Sequence, residues 1–417
     1  MAKSAFSPYA DKALEYCAEL AAVSEMENGI LRQYLTDKHK VHNEKTAFWM
    51  RSAGMDTWQD EVGNQWGRLV SKKPDAPRLI LGSHLDTVPN AGAFDGILGV
   101  MLGIQLVAYF RNNHIDLPFH LDVVGFCDEE GTRFGVTLIG SRALAGTFEP
   151  AWLNIEDENG MTMHQAMEEF GLEPEHFSNA SIADSNIAGY WEVHIEQGPV
   201  LEAEDLSVGV VTAIAGARRG QIRITGLAGH AGTTPMQLRK DALCAASELI
   251  LAIEQRAKAC EDDRVATVGE IGVRPGAVNV IAGNVVISLD VRSQFDDKRD
   301  ELIEAIAFDA DSIAAKRNVK VEWQWHHKAT AVPCADKFQA IFADACSDVE
   351  LPKFYLPSGA GHDAMAIADV CDVGMLFIRS PRGLSHHPDE AVIPEDILDA
   401  FAVMRHAISR YGDSFLV

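Results

Sequence analysis

A histidine and an aspartate two residues apart, in Ser83-His84-Leu85-Asp86-Thr87-Val88-Pro89, follow the apolar run Arg78 to Gly82. In extended chain, residues i and i+2 share a face, so Asp86 can hydrogen-bond one imidazole nitrogen of His84 while the other binds a metal. Taken alone, such a pair reads as an ordinary polar loop. Phe94-Asp95-Gly96 places a carboxylate at the opening of an apolar helix, followed by a glycine that permits unusual backbone geometry. The plain reading there is an N-capping aspartate. Asp128-Glu129-Glu130 crowds three acids at the end of a second apolar run, His120 to Cys127. Like charges so placed repel unless a cation or water relieves them. His194 lies in the alternating run Trp191 to Gly198, and His386-His387 lies in Leu384 to Glu390 after another apolar run. Each histidine singly is more often structural. Metal-ligand side chains at or near the ends of several strands of one sheet point instead to a shared cation site.

The elements that must gather these residues are short β-rich runs alternating with longer helical ones. Arg78 to Gly82, the apolar helix Gly96 to Phe110, His120 to Cys127 and Gly374 to Ile378 are the clearest. This alternation predicts an α/β fold, a central sheet flanked by helices, with chemistry at the strand-end loops. From about Ala213 the texture changes. Arg219 to Gly229 reads as an edge strand, Asp241 to Ala257 as an amphipathic helix, and two further strands flank a helix around Asp297 to Lys316. The prediction is a discontinuous catalytic domain over 1–212 and 329–417, with 213–328 an inserted α+β domain of four strands and two helices serving dimerisation.

Composition limits the alternatives. A chain of 417 residues has room for two or three domains of roughly 150 residues. Its 36 basic against 61 acidic side chains give a net charge of -25, which repels phosphate backbones and anionic lipid, so neither nucleic acid nor membrane is an expected partner. The apolar helix is too short for a bilayer span of roughly 20 residues. The seven cysteines are scattered and include no C-x-x-C, the pattern of free thiols in a reducing compartment. With no export signal evident at the start, a cytoplasmic location is expected.

GSHLDTVPNAGAFDG, DEEGTRF, EVHIEQGPVLE, GHAGTTPM, NVI with its Asn279, DVRS, GAGHDA and SHHPDE together resemble the M20-type metallohydrolases. Within that group the chain is most similar to the allantoate amidohydrolase and N-carbamoyl-L-amino-acid hydrolase branch, over roughly residues 60 to 400. The resemblance implies two divalent metal ions, Zn or Mn. His84 and His194 would hold one, Glu130 and His386 the other, with Asp95 bridging and Asp86 orienting His84. Glu129 would be the general base, and His230 an oxyanion donor supplied by the partner subunit of a homodimer. Arg219, Asn279 and Arg292 would hold the substrate, with Arg292 on its carboxylate, and Gln197 and His362 would be further possible substrate contacts.

The implied reaction is hydrolysis of the carbamoyl C–N bond of a ureido carboxylate. Allantoate is the first choice, giving ureidoglycine, ammonia and carbon dioxide within purine catabolism. An N-carbamoyl-L-amino-acid hydrolase or β-ureidopropionase is the nearest alternative, since the same motifs serve all three. An M20 peptidase or aminoacylase fits less well, because His194 stands where those relatives usually have an acid. A metal-free dimerising scaffold is the alternative from another class, and the complete ligand set argues against it. Substrate arginines and metals on different domains would also let domain closure complete the site.

Overall fold

The computed structural model describes residues 5–73 and 75–415. The chain divides into two compact units: one holds the chain up to Thr212, Cys334–Leu356 and everything from Gly361, and the other holds Ala213–Pro333 and Pro357–Ala360. The first unit resumes at Cys334, beyond 329, because the strand Lys320–Ala329 runs to its full length and Val332 and Pro333 still pair with Ile214 and Ala213. Cys334 N–H then donates to the Thr212 carbonyl at 2.9 Å, so the chain re-enters beside the point where it left.

In the first unit the strands run in the order Asp56–Gln59, Gln65–Leu69, His120–Phe126, Arg78–His84, Ile187–Ile195, Val373–Ile378 and Val208–Ile214. The middle of this mixed sheet is parallel: Arg78–His84 lies between His120–Phe126 and Ile187–Ile195, and Val373–Ile378 extends it. Strands covered on both faces read as largely apolar runs, as Leu79–Gly82 does and as Leu121–Cys127 does apart from Asp122, a buried carboxylate paired with Arg68 and Arg78. Leu79, Leu81, Leu121, Val123, Trp191, Val193, Leu376 and Ile378 turn to one face, where they join the helices Ser7–Ala21, Ile97–Asn112, Asp336–Asp348 and Pro394–Asp413 in one core. The period-2 alternation places His84 and His194 on the opposite face, near the ends of neighbouring strands.

The predicted apolar helix is present over Ile97–Asn112, and Gln105 within it is buried. Asp95 is not its cap. Gly96 holds that position at φ 74°, a left-handed conformation, and a Cβ there would collide with the His84 ring. Glycine is therefore required both by the turn and by the close approach of the first imidazole.

The second unit is an antiparallel sheet in the order Ile271–Arg274, Asn284–Ser293, Gly216–Thr225, Lys320–Ala329, with Val265–Thr267 also paired to Asn284–Ser293. Two expectations change here. The sheet has five strands because its edge is split: Gly269 and Glu270 N–H donate to Ser288 Oγ at 3.0 and 2.9 Å, which interrupts the ladder. The run read as an edge strand lies inside the sheet, paired on both sides. Its alternating arginines report a polar face, and hydrogen bonding runs at right angles to the side chains, so the pattern carries no information about which edges are paired. Ile222, Ile224, Val285, Ile287, Leu289 and Val291 pack on the helices Ala242–Lys258 and Asp296–Arg317. Asp241 caps the first of these, accepting from Leu243 and Cys244 N–H. Among the described residues no helix is long and apolar enough to cross a membrane.

Candidate metal centre

Two imidazoles are oriented by backbone carbonyls. His84 Nδ1 lies 3.1 Å from the Asp86 carbonyl, and His194 Nδ1 lies 2.9 Å from the Ile195 carbonyl. A carbonyl only accepts, so each Nδ1 carries a proton and each Nε2 is the nitrogen left to face a metal. Both Nε2 atoms turn towards one carboxylate oxygen: Asp95 Oδ1 is 3.9 Å from His84 Nε2 and 3.3 Å from His194 Nε2. His194 Nε2 is buried without a hydrogen-bond partner. Acceptor facing acceptor in a buried position is unfavourable unless a cation lies between them, and the carbonyl-anchored histidine is the usual second contact of a metal ligand. The residues present therefore fit a bound divalent metal.

The other carboxylate oxygen faces a different partner. Asp95 Oδ2 is 3.1 Å from His386 Nε2, which is itself 3.4 Å from Glu130 Oε1. His84, Asp95 and His194 form one group of possible ligand atoms and Asp95, Glu130 and His386 another, each within 4.8 Å, with Asp95 common to both. Gln197 Nε2 donates to both Asp95 oxygens at 3.0 and 3.1 Å. Gln197 at φ 57° and His386 at φ 54° both take left-handed backbone, which side-chain-bearing residues adopt mainly where surroundings impose it.

The charge balance also calls for a cation. Burial holds the His194 imidazole down to about 4, in keeping with a neutral ligand. Burial also works to lower His84, yet Asp86, Glu129 and Asp95 carry it well above its ordinary value. Burial pushes Glu130 up to about 7 and Glu129 well above the carboxylate range, with His84 opposing both. Asp95, Glu129 and Glu130 thus lie together beside His84, His194 and His386, a donor set of carboxylates and imidazoles that suits a divalent cation.

Asp86 does more here than the H-x-D spacing implied. Its carbonyl makes the shorter approach to His84, and its carboxylate Oδ1 lies at 3.5 Å from Nδ1. The two carboxylate oxygens accept the N–H groups of Glu129 and Glu130, each at 3.0 Å, and so fix the acidic loop against the first histidine. Asp128 is buried and takes no part in these ligand groups.

Four candidates lie in the second unit, and they form two separate pairs. Arg219 Nε donates to Asp290 Oδ2 at 3.0 Å, and Arg292 donates to both Asp290 oxygens, at 3.0 and 2.8 Å, and through Nη1 to the Gly359 carbonyl. They line a groove of about 730 Å³ together with Gln221, Ser288 and His326. His230 and Asn279 lie elsewhere, on a two-stranded ribbon: His230 pairs with Val280, and Ala231 N–H donates to the Asn279 carbonyl at 3.0 Å. Gly232 N–H donates to His230 Nδ1 at 3.0 Å, which leaves Nε2–H of this exposed ring as a donor.

Residues 80–410 match the family model described as Peptidase family M20/M25/M40. The chain belongs to the M20 family. An N-carbamoyl-L-amino acid amidohydrolase of Geobacillus stearothermophilus is 39% identical over 391 residues, 94% of this chain and 95% of the relative. Allantoate deiminase 1 of Glycine max is 36% identical over 417 residues, 93% of this chain and 86% of the relative. Among solved structures, an amidase of the hydantoinase/carbamoylase family from Burkholderia multivorans superposes with a TM-score of 0.91 at 30% identity, covering 97% of this chain and 98% of that one. This M20 chain is thus an enzyme, a hydrolase whose relatives are named for cleaving C–N bonds other than peptide bonds.

Several residues of this M20 centre escaped the sequence reading. Glu192 is buried two residues before His194 on the same strand face, and accepts from Ser83 Oγ, Tyr190 OH and Ala364 N–H. Its position in the alternating run was the available signal. Ser385 and Glu390, inside the quoted SHHPDE segment, touch Asp95 or its backbone. Gln197, read as a substrate contact, directs its amide to Asp95, and His362 packs its buried ring 4.6 Å from that of His194.

Proposed function

We propose that this M20 hydrolase cleaves the carbamoyl C–N bond of a ureido compound bearing a carboxylate, using two divalent ions, zinc or manganese. The observation that carries the reading is Asp95, whose two oxygens face His84 and His194 on one side and His386, next to Glu130, on the other. His84 and His194 would hold one ion, Glu130 and His386 the second, and Asp95 both. When bound, such ions polarise a water and the scissile carbonyl. Glu129, held by Asp86 through its backbone N–H, is the base that takes the water proton and passes it to the leaving nitrogen. The Nε2–H of His230, supplied by a second copy of the chain, meets the negative charge that develops on the carbonyl oxygen, which ties activity to a homodimer.

Arg292 is the proposed carboxylate contact, with Arg219 beside it on Asp290, while Asn279, on the ribbon with His230, is proposed as a separate substrate contact. Asp290 and Gly359 take three of its five N–H groups and leave one on each terminal nitrogen, which suits a carboxylate fork. Arg292→Lys keeps the charge and removes the fork, so it is expected to cost about 1.5–3 kcal/mol in kcat/KM, mainly through KM. Steady-state rates on a carboxylate substrate and on its neutral amide check this: equal losses on both would reject the role.

Allantoate, our first choice from sequence, and the N-carbamoyl-L-amino acids share this chemistry, and relatives named for each are 36% and 39% identical. Ammonia release from allantoate, N-carbamoyl amino acids and β-ureidopropionate, measured side by side, separates them. Preference for allantoate would place the enzyme in purine nitrogen recycling. Turnover of peptides with none of the ureido compounds would overturn the proposal.

A further inference from the structure

The loop bearing His386 is fastened to the loop bearing Asp95 by a carboxylate outside the ligand set. Glu390 Oε1 accepts the backbone N–H of Phe94 at 2.9 Å and of Asp95 at 3.1 Å, across 296 and 295 residues of sequence. Its Oε2 lies 3.0 Å from Ser385 Oγ, which lies 3.0 Å from Asp95 Oδ2. Glu390 therefore holds the Asp95 main chain directly and shares the Ser385 hydroxyl with the Asp95 carboxylate, the single proton serving one of the two at a time. The side chain is only 6% exposed, and it rests on Gly92, where a Cβ would collide with it. The absence of a side chain at residue 92 makes room for this carboxylate.

We propose that Glu390, linked through Ser385, is a positioning residue that holds the Asp95 carboxylate midway between the two ligand groups and thereby sets the affinity of the centre for divalent metal. This rests on the metal reading above. The physical reason is geometric. Asp95 must present one oxygen to each side, and a swing of its backbone would lose both contacts together. Gln197 and Ser385 restrain the oxygens, while Glu390 holds the backbone N–H groups of Phe94 and Asp95, whose carbonyls are held in turn by Leu98 and Ile97 N–H at the start of the helix. A purely structural Glu390 would merely satisfy two buried N–H groups.

Zinc and manganese binding to the full-length protein, measured by competition with a chelating dye, tests the proposal, alongside thermal unfolding of the metal-free forms. Glu390→Ala is expected to weaken binding about 10- to 100-fold, the usual cost of losing a group that orients metal ligands, and Glu390→Gln, which keeps an acceptor for both N–H groups, to restore most of it. Should Glu390→Ala fail to fold, Ser385→Ala and Gly92→Ala, which remove the link and displace the carboxylate, are expected to weaken binding in the same direction. Variants that melt earlier without metal yet bind it as tightly as wild type would overturn the positioning role alone. A wild-type protein that binds no divalent metal would overturn the metal reading and this inference together.

Discussion

Replacing Glu129 by glutamine is expected to leave the metal content of the purified enzyme unchanged and to remove nearly all hydrolysis of the ureido bond. Glutamine is almost isosteric and keeps the backbone N–H that donates to Asp86, so the acidic loop should stay in place. What disappears is a carboxylate next to the ligands that the proposed metal pair leaves free: Glu130 faces His386, Asp95 faces three imidazoles, Asp86 is engaged with the loop, and Glu192 accepts from Ser83, Tyr190 and Ala364. A positioned base contributes roughly 100- to 10,000-fold, and the loss in kcat should fall in that range. Elemental analysis and ammonia release on the same preparation check both halves. Turnover at the wild-type rate would remove Glu129 from the mechanism.

Stripping divalent cations with a chelator is expected to abolish hydrolysis and lower the unfolding temperature, with zinc or manganese restoring both. The stability effect follows from the centre itself. Without metal, Asp95, Glu129 and Glu130 crowd together at the strand ends, and burial pushes the last two carboxyls upward. A ligand bound only by the folded state at a hundred times its Kd contributes about 2.7 kcal/mol. Activity assays and scanning calorimetry before and after metal return measure the two effects. Full activity in a protein shown to hold no metal would contradict the reading.

The apolar runs that become central strands and the buried helix Ile97–Asn112 were legible because burial on both faces demands uninterrupted hydrophobicity. The ligand types were legible because carboxylates and imidazoles at strand ends serve poorly as core. The edge or interior status of Gly216–Thr225 was not, since sheet neighbours are chosen by backbone hydrogen bonds that no side-chain pattern records. The split of Arg219 and Arg292 from His230 and Asn279 was hidden in the same way: the first pair meets across the register of two strands on Asp290, and the second shares a ribbon.

By itself, then, the chain's order of residues determined the fold class and the family, and offered the side chains proposed to hold a cation. Only the tertiary structure decided which atoms meet. Asp86 gives its carbonyl to His84 and its carboxylate to the acidic loop, His194 points an unpaired nitrogen at Asp95, and Glu390 anchors that aspartate from 295 residues away. Hydrogen bonds of this kind depend on ångström distances between distant segments, which are set by packing once the sheet has formed and leave no periodic trace in the sequence.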